Sequence, residues 1–66
     1  MTLHSKHARE QMTERGISVN EIEAAIKLGA KELQLPNKIL HHFRYFTVVT
    51  RKINKEYFVI TVMIRR

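Results

Sequence analysis

The sequence predicts an α+β domain in which two N-terminal helices pack on one face of a four-stranded antiparallel sheet, in the order α-α-β-β-β-β. Two observations carry this prediction. Residues 5–28 hold two segments whose apolar residues recur at helical spacing, each with capping residues at its ends. From residue 31 onward apolar and polar residues alternate with the period of a strand, and turn residues separate the alternating segments. A chain of 66 residues has the length of a single domain, residues 1–66.

The first helix is expected over about Ser5 to Arg15. The Ser5 hydroxyl can accept a hydrogen bond from a free backbone N–H of the first turn. Gly16 supplies the left-handed residue that closes a helix without a Cβ clash. Ala8 and Met12 form the apolar line that faces a core. Beside it runs a second i, i+4 series that is entirely polar, consisting of His7, Gln11 and Arg15.

The second helix is expected over about Val19 to Leu28, and it ends at Gly29. Ser18 and Glu21 have the spacing of a capping box, which satisfies two free backbone N–H groups at the start of a helix. Its buried face is predicted to consist of Ile22, Ala25, Ile26 and Gly29.

The strands are expected over residues 31–35, 38–43, 46–52 and 57–64, preceded by a short extended lead-in over residues 1–4. Pro36-Asn37 and Asn54-Lys55 are turn signals. Residues 38–51 contain no ordinary turn residue, so one long bent strand is the alternative to a two-residue turn at Arg44-Tyr45. The turn is preferred because strands usually have about three to ten residues.

Alternation along each strand predicts which side chains face the helices. On the fourth strand these are Phe58, Ile60, Val62 and Ile64, which leaves the other side to Tyr57, Val59, Thr61 and Met63. On the second and third strands the core-facing residues are Ile39, Phe43, Phe46 and Val48. Two helices cover only one face of four strands. The other face is therefore predicted to be open and basic, with Lys38, Leu40, His42, Arg44, Thr47, Val49 and Arg51.

Charge indicates the class of partner. The chain has 12 Lys and Arg residues against 6 acids, a formal net charge of +6 and a pI near 10.2. From Leu33 to the end the one acid is Glu56. Phosphate-rich nucleic acid or an acidic protein segment would complement this positive field. Excess lysine is also common on small soluble domains, which is the plainer interpretation.

The absence of cysteine excludes disulfides and thiolate metal sites and fits a reducing compartment. No apolar signal region and no membrane-length apolar segment is present, so we expect a cytoplasmic protein with no membrane partner. No metal site or cofactor is expected. So short a chain has a small core, and a homodimer or a partner protein would add stability.

The run H-A-x-x-x-M-x-x-R-G-I-S, followed by a helix and a final V-I-T-V, resembles the small prokaryotic family known as domain of unknown function 4258. The resemblance spans nearly the whole chain. Members of that family resemble the RelE and ParE toxin superfamily, within the barnase–EndoU–colicin–RelE-like fold. The motif positions present here are His7, Ala8, Met12, Arg15, Gly16, Ile17 and Thr61.

The resemblance implies a toxin-like, metal-independent endoribonuclease from a toxin–antitoxin system. Two alternatives remain: a non-catalytic nucleic-acid-binding domain, and a protein-interaction module that binds an acidic antitoxin-like protein. Two positions depart from the pattern: Gln11 replaces a common family Arg, and Met63 stands where a Tyr is often found.

RNA cleavage without a metal needs a base, an acid and cations around the reacting phosphate. The candidates for the catalytic roles are His7 and His42 for proton transfer, Arg15 and Arg51 for the phosphate oxygens, and Thr61 as a further donor. The candidates for RNA binding are Lys38, Arg44, Tyr45 and Tyr57.

Structural roles compete with these catalytic ones. Arg15 lies where it can satisfy helix C-terminal carbonyls. His7 can be a packing residue and Thr61 an ordinary strand former. His41 and His42 face opposite ways on one strand, so they cannot bind one metal ion, and we expect His41 to be a semi-buried, hydrogen-bonded histidine.

Overall fold

The computed structural model describes residues 2–34 and 36–64, and of Thr2 and Leu3 it describes the backbone alone. The elements are β1 (Thr2–His4), α1 (Lys6–Arg15), α2 (Val19–Leu28), β2 (Ala30–Gln34), β3 (Lys38–Phe43), β4 (Phe46–Ile53) and β5 (Glu56–Ile64). The strands form one sheet in the order β1-β5-β4-β3-β2. The predicted α+β order of two helices followed by four antiparallel strands is confirmed, including the turn at Arg44-Tyr45.

The lead-in segment forms a fifth strand that the sequence analysis did not predict. β1 pairs with β5 in parallel, and Thr2, Leu3 and His4 lie opposite Tyr57, Phe58 and Val59. Three residues carry too little periodicity to be recognised as a strand. The first residue of the lead-in, Met1, and the predicted end of β2, Leu35, lie outside the described residues.

The start of α1 is fastened to β5 by one residue. The Ser5 hydroxyl accepts from the Ala8 N–H at 3.0 Å, and it donates to the Ile60 carbonyl at 3.0 Å. The Ser5 N–H donates to the Val59 carbonyl at 3.0 Å. At the other end Gly16 has φ 66°, the left-handed conformation predicted for it. The cap residue thus orients α1 along the strand on which it packs.

The second helix begins and ends as predicted. Ser18 and Glu21 form both bonds of the capping box, at 3.1 and 3.2 Å. Gly29 closes α2 in an extended conformation, so backbone freedom is not the reason for a glycine here. A Cβ at this position would lie 2.5 Å from the Ala25 carbonyl oxygen and 2.9 Å from that of His42. Gly29 is therefore required because its Cα lies close both to the last turn of α2 and to the backbone of β3.

The core lies between the two helices and one face of the sheet. Its buried apolar residues are Ala8, Met12, Ile17, Ile22, Ala25, Ile26, Phe46, Val48, Val59 and Val62. The helical members are those that the apolar lines predicted, with Ile17 added from the link between the helices. Phe43 and Tyr57 pack against the edge of this cluster.

The facing predicted for the first half of β5 is wrong. The register with β4 shifts between Val49 and Thr50, which pair with Thr61 and Val59. One extra residue, Ile60, therefore lies in β5, and such a bulge reverses the alternation on one side of it. Val62 faces the helices as predicted. Before the bulge, however, Val59 and Tyr57 face the helices and Phe58 lies on the opposite side.

Candidate nucleic-acid interface

Both helices pack on the same side of the sheet, so no helix of the described residues lies over the other side, here called the open face. Strand register arranges the side chains of the open face in rows, because residues paired across antiparallel strands project to the same side. Three rows run from β3 through β4 to β5: Lys38–Arg51–Phe58, Leu40–Val49–Thr61 and His42–Thr47–Met63. Three residues of β2 extend these rows: Ala30 beside His42, Glu32 beside Leu40 and Gln34 beside Lys38.

The first row, Lys38–Arg51–Phe58, combines two cations with an aromatic ring and is here called the cationic row. Lys38 and Arg51 are exposed, and Phe58 is partly exposed. Directly paired residues have Cβ atoms about 5 Å apart, so the two cations can contact one phosphate or two consecutive phosphates. The ring beside them offers a face on which a base can stack. Phe58 was missed as a candidate because the sequence analysis placed it in the core.

The middle row is largely apolar. Val49 is buried, and Leu40 and Thr61 are partly exposed. The Thr61 hydroxyl therefore lies on the open face, beside apolar neighbours and one row away from Arg51. Its place permits a single hydrogen bond to a ligand that already contacts the cationic row.

His42 lies in the third row and is held at both ring nitrogens. Its Nδ1 is 3.0 Å from the Thr47 hydroxyl, and its Nε2 is 3.0 Å from the Glu32 carboxylate. In a neutral ring, Nε2–H donates to the carboxylate and Nδ1 accepts from the hydroxyl. This arrangement fixes the ring, and His42 must give up one partner before it can exchange a proton with a ligand.

His7 and Arg15 do not belong to this surface. Both are exposed on α1, which packs on the other side of the sheet. They are joined through Gln11, whose amide nitrogen lies 3.4 Å from His7 Nε2 and whose oxygen accepts from Arg15 Nε at 2.9 Å. The predicted polar series is thus a hydrogen-bonded ladder. The sheet separates it from Thr61, so the five proposed catalytic residues do not form one site.

The remaining RNA-binding candidates are also dispersed. Arg44 and Tyr45 form the β3–β4 turn, where the Arg44 guanidinium lies 5.1 Å from the centre of the Phe43 ring. The Tyr45 hydroxyl donates to Glu21 at 3.4 Å. Tyr57 faces the helix side, with the Lys52 ammonium 5.4 Å from the centre of its ring. Of the four candidates, Lys38 is the one that lies in the cationic row.

His41 is more deeply buried than the sequence predicted, with no exposed surface. Its Nε2 lies 2.8 Å from the Thr50 hydroxyl, and its ring meets that of Tyr57 edge-on at 5.6 Å. Nδ1 is buried and has no hydrogen-bond partner among the described residues. Burial, with smaller contributions from Lys31 and His42, lowers the pKa of His41 from 6.5 to about 4. His41 is therefore a neutral core residue at pH 7.

Within residues 2–34 and 36–64, no group of three or more His, Cys, Asp or Glu side chains has the arrangement of a metal site. Across the same ranges, no helix has the length and apolar character needed to cross a membrane.

Residues 4–64 match the family model described as Domain of unknown function (DUF4258). The match begins just before α1 and ends with β5, so it includes both helices and the antiparallel strands. No curated protein and no solved structure matches the chain.

Proposed function

The chain belongs to the family described as Domain of unknown function (DUF4258), and we propose that it is a nucleic-acid-binding domain whose open face binds RNA. The observation that carries the proposal is the row Lys38–Arg51–Phe58, in which two exposed cations lie beside an aromatic ring on a face with no helix over it. Sheet surfaces that bind single strands combine these two features.

Charge supports the proposal at two scales. The chain carries a formal net charge of +6, which attracts a polyanion from a distance. On the open face, Lys38 and Arg51 share one row, whereas the two acids lie in other rows: Glu32 beside Leu40, with its carboxylate on His42, and Glu56 beside Ile53. A phosphate approaching Lys38 and Arg51 therefore meets two adjacent cations and no acid in their row.

The test is a titration of single-stranded RNA at several salt concentrations. Replacing Lys38 and Arg51 together by Ala should lower the affinity and reduce the slope of log K against log salt by about 1.4, since each phosphate contact to a single strand contributes about 0.7. The matched control replaces Lys6 and Arg9, two exposed cations of α1, which changes the net charge equally. Equal losses for the two double variants would mean that net charge, and no particular surface, binds RNA.

A second candidate function is slow metal-independent RNA cleavage on the same face, as in the toxin-like ribonucleases that the sequence resembles. It is favoured by the placement of His42, Arg51 and Thr61 on one side of the sheet. In this proposal His42 takes the proton of the 2′-hydroxyl as its oxygen bonds to phosphorus, the bond to the 5′-oxygen breaks, and water protonates that leaving oxygen. Arg51 holds the phosphate oxygens and Thr61 donates one further hydrogen bond to them. His7 and Arg15 take no part in it.

A further inference from the structure

A pocket of about 480 Å³ lies at the end of the β4–β5 hairpin. It is lined by Ile53, Asn54, Lys55, Glu56, Tyr57 and Phe58. Ile53 and Glu56 are register partners, and they form the next row beyond Arg51 and Phe58 on the open face. The pocket therefore adjoins the cationic row on the side of the hairpin turn.

The lining favours a flat apolar group over a charged one. Ile53 is 53% exposed, and with Phe58 it gives the pocket apolar walls. Lys55 and Glu56, of opposite charge, both line the pocket, so the lining has no net charge that would draw a phosphate into it. The pocket volume lies within the range of small-ligand sites, about 300–1,000 Å³. A phosphate bound near the pocket would instead lie against Arg51 and Lys38, one row away.

We infer that this pocket holds one unpaired base of a single-stranded RNA, an inference that rests on the proposed function. The base stacks on Phe58 and contacts Ile53, while its flanking phosphates lie on Arg51 and Lys38. A base inside a duplex has both faces covered by its neighbours, so the pocket selects single strands over duplexes.

The experiment compares a short single-stranded RNA, the same strand with one abasic position, and a duplex of equal length. Phe58→Leu keeps an apolar side chain and removes the aromatic face. Ile53→Ser removes the exposed apolar wall. Val19→Ser is the matched control, because Val19 is 51% exposed and lies on α2, on the other side of the sheet. A 2-aminopurine base in the single strand reports stacking through the quenching of its fluorescence.

We expect Phe58→Leu to weaken single-strand binding roughly tenfold and to reduce the quenching of 2-aminopurine. Ile53→Ser should also weaken single-strand binding and reduce the quenching. Val19→Ser should bind the single strand with the affinity of the parent. Duplex binding should be weak and unchanged in all three. If Phe58→Leu and Ile53→Ser bind the single strand as the parent does, while Lys38→Ala with Arg51→Ala binds less, the base pocket is refuted and the RNA interface stands. If the parent binds no RNA, both proposals fail.

Discussion

Two adjacent histidines on β3 have different chemistry because they project to opposite sides of the sheet. His41 faces the core, is fully buried and has one nitrogen without a partner among the described residues. His42 faces outward and has a partner at each nitrogen. Strand alternation alone predicts that these two neighbours face opposite sides. The partners depend on register with β2 and β4, which no local pattern specifies.

His41 should make the protein less stable in weak acid. Its pKa is about 4 in the folded chain, against 6.5 as the ordinary value. Below pH 6.5 the unfolded chain gains a proton that the folded chain does not, so the free energy of unfolding falls until about pH 4. The full contribution is roughly 3 kcal/mol, from about 1.4 kcal/mol per pKa unit.

The measurement is urea unfolding at pH 7 and pH 4.5 for the parent and for His41→Leu. We expect the variant to lose much less stability between the two pH values than the parent does. His7→Ala, at an exposed position, serves as the control and should follow the parent. An identical pH dependence in parent and His41→Leu would show that this histidine is not the titrating group.

If the chain cleaves RNA, His42 and not His7 should be the residue required. His42 shares the open face with Arg51 and Thr61, whereas His7 is on α1. The assay incubates the protein with RNA in EDTA and detects 2′,3′-cyclic phosphate ends. We expect His42→Ala to abolish cleavage, His7→Ala to retain it, and Met63→Tyr to raise it by adding a hydroxyl two residues from Thr61. Loss of cleavage in His7→Ala with full retention in His42→Ala would contradict the assignment.

Among the secondary-structure elements, both helices were predicted from the sequence, whereas β1 was not. Ser5, Gly16 and Ser18 specify the helix ends through local hydrogen bonds and backbone conformation, so their effect is visible in a few residues. The facing of β5 depends on Ile60, the extra residue of a bulge. Residues 57–60 read Tyr-Phe-Val-Ile, and with apolar side chains at every position either alternation fits.

The bulge determines the composition of the candidate site, because it moves Phe58 to the open face. Without the shift, Phe58 would lie in the core and the row of Lys38 and Arg51 would have no aromatic member. The candidate site could therefore be predicted from the sequence as far as its two cations. Its aromatic residue and the adjoining pocket could not, since both depend on where the register changes.

The cap of α1 should contribute more to stability than the cap of α2. Ser5 bonds both to its own helix and to the Ile60 carbonyl of β5, whereas the Ser18 hydroxyl accepts within the capping box of α2. Loss of a cap costs about 1 kcal/mol, and an unsatisfied partly buried carbonyl adds about 1 kcal/mol more. Chemical denaturation of Ser5→Ala and Ser18→Ala measures the difference. Equal losses would mean that the bond to β5 contributes nothing net.

At the scale of the whole molecule, the sheet separates the two groups of polar residues from which a catalytic site was predicted. The ladder of His7, Gln11 and Arg15 lies on the helix side, and the cationic row lies on the open face. Composition and charge predicted a basic surface, and alternation predicted its position on the sheet. The sequence did not predict which of these residues lie close together. The distance between a helical residue and a strand residue depends on how the helices pack on the sheet, and no local pattern specifies that packing.

The most direct test of the RNA interface is an NMR titration of the ¹⁵N-labelled protein with single-stranded RNA. An RNA interface on the open face predicts that the largest amide shifts arise at Lys38, Arg51 and Phe58 and at the adjoining hairpin turn, with small shifts along α1. Shifts concentrated on His7, Gln11 and Arg15, with the open face unchanged, would contradict it.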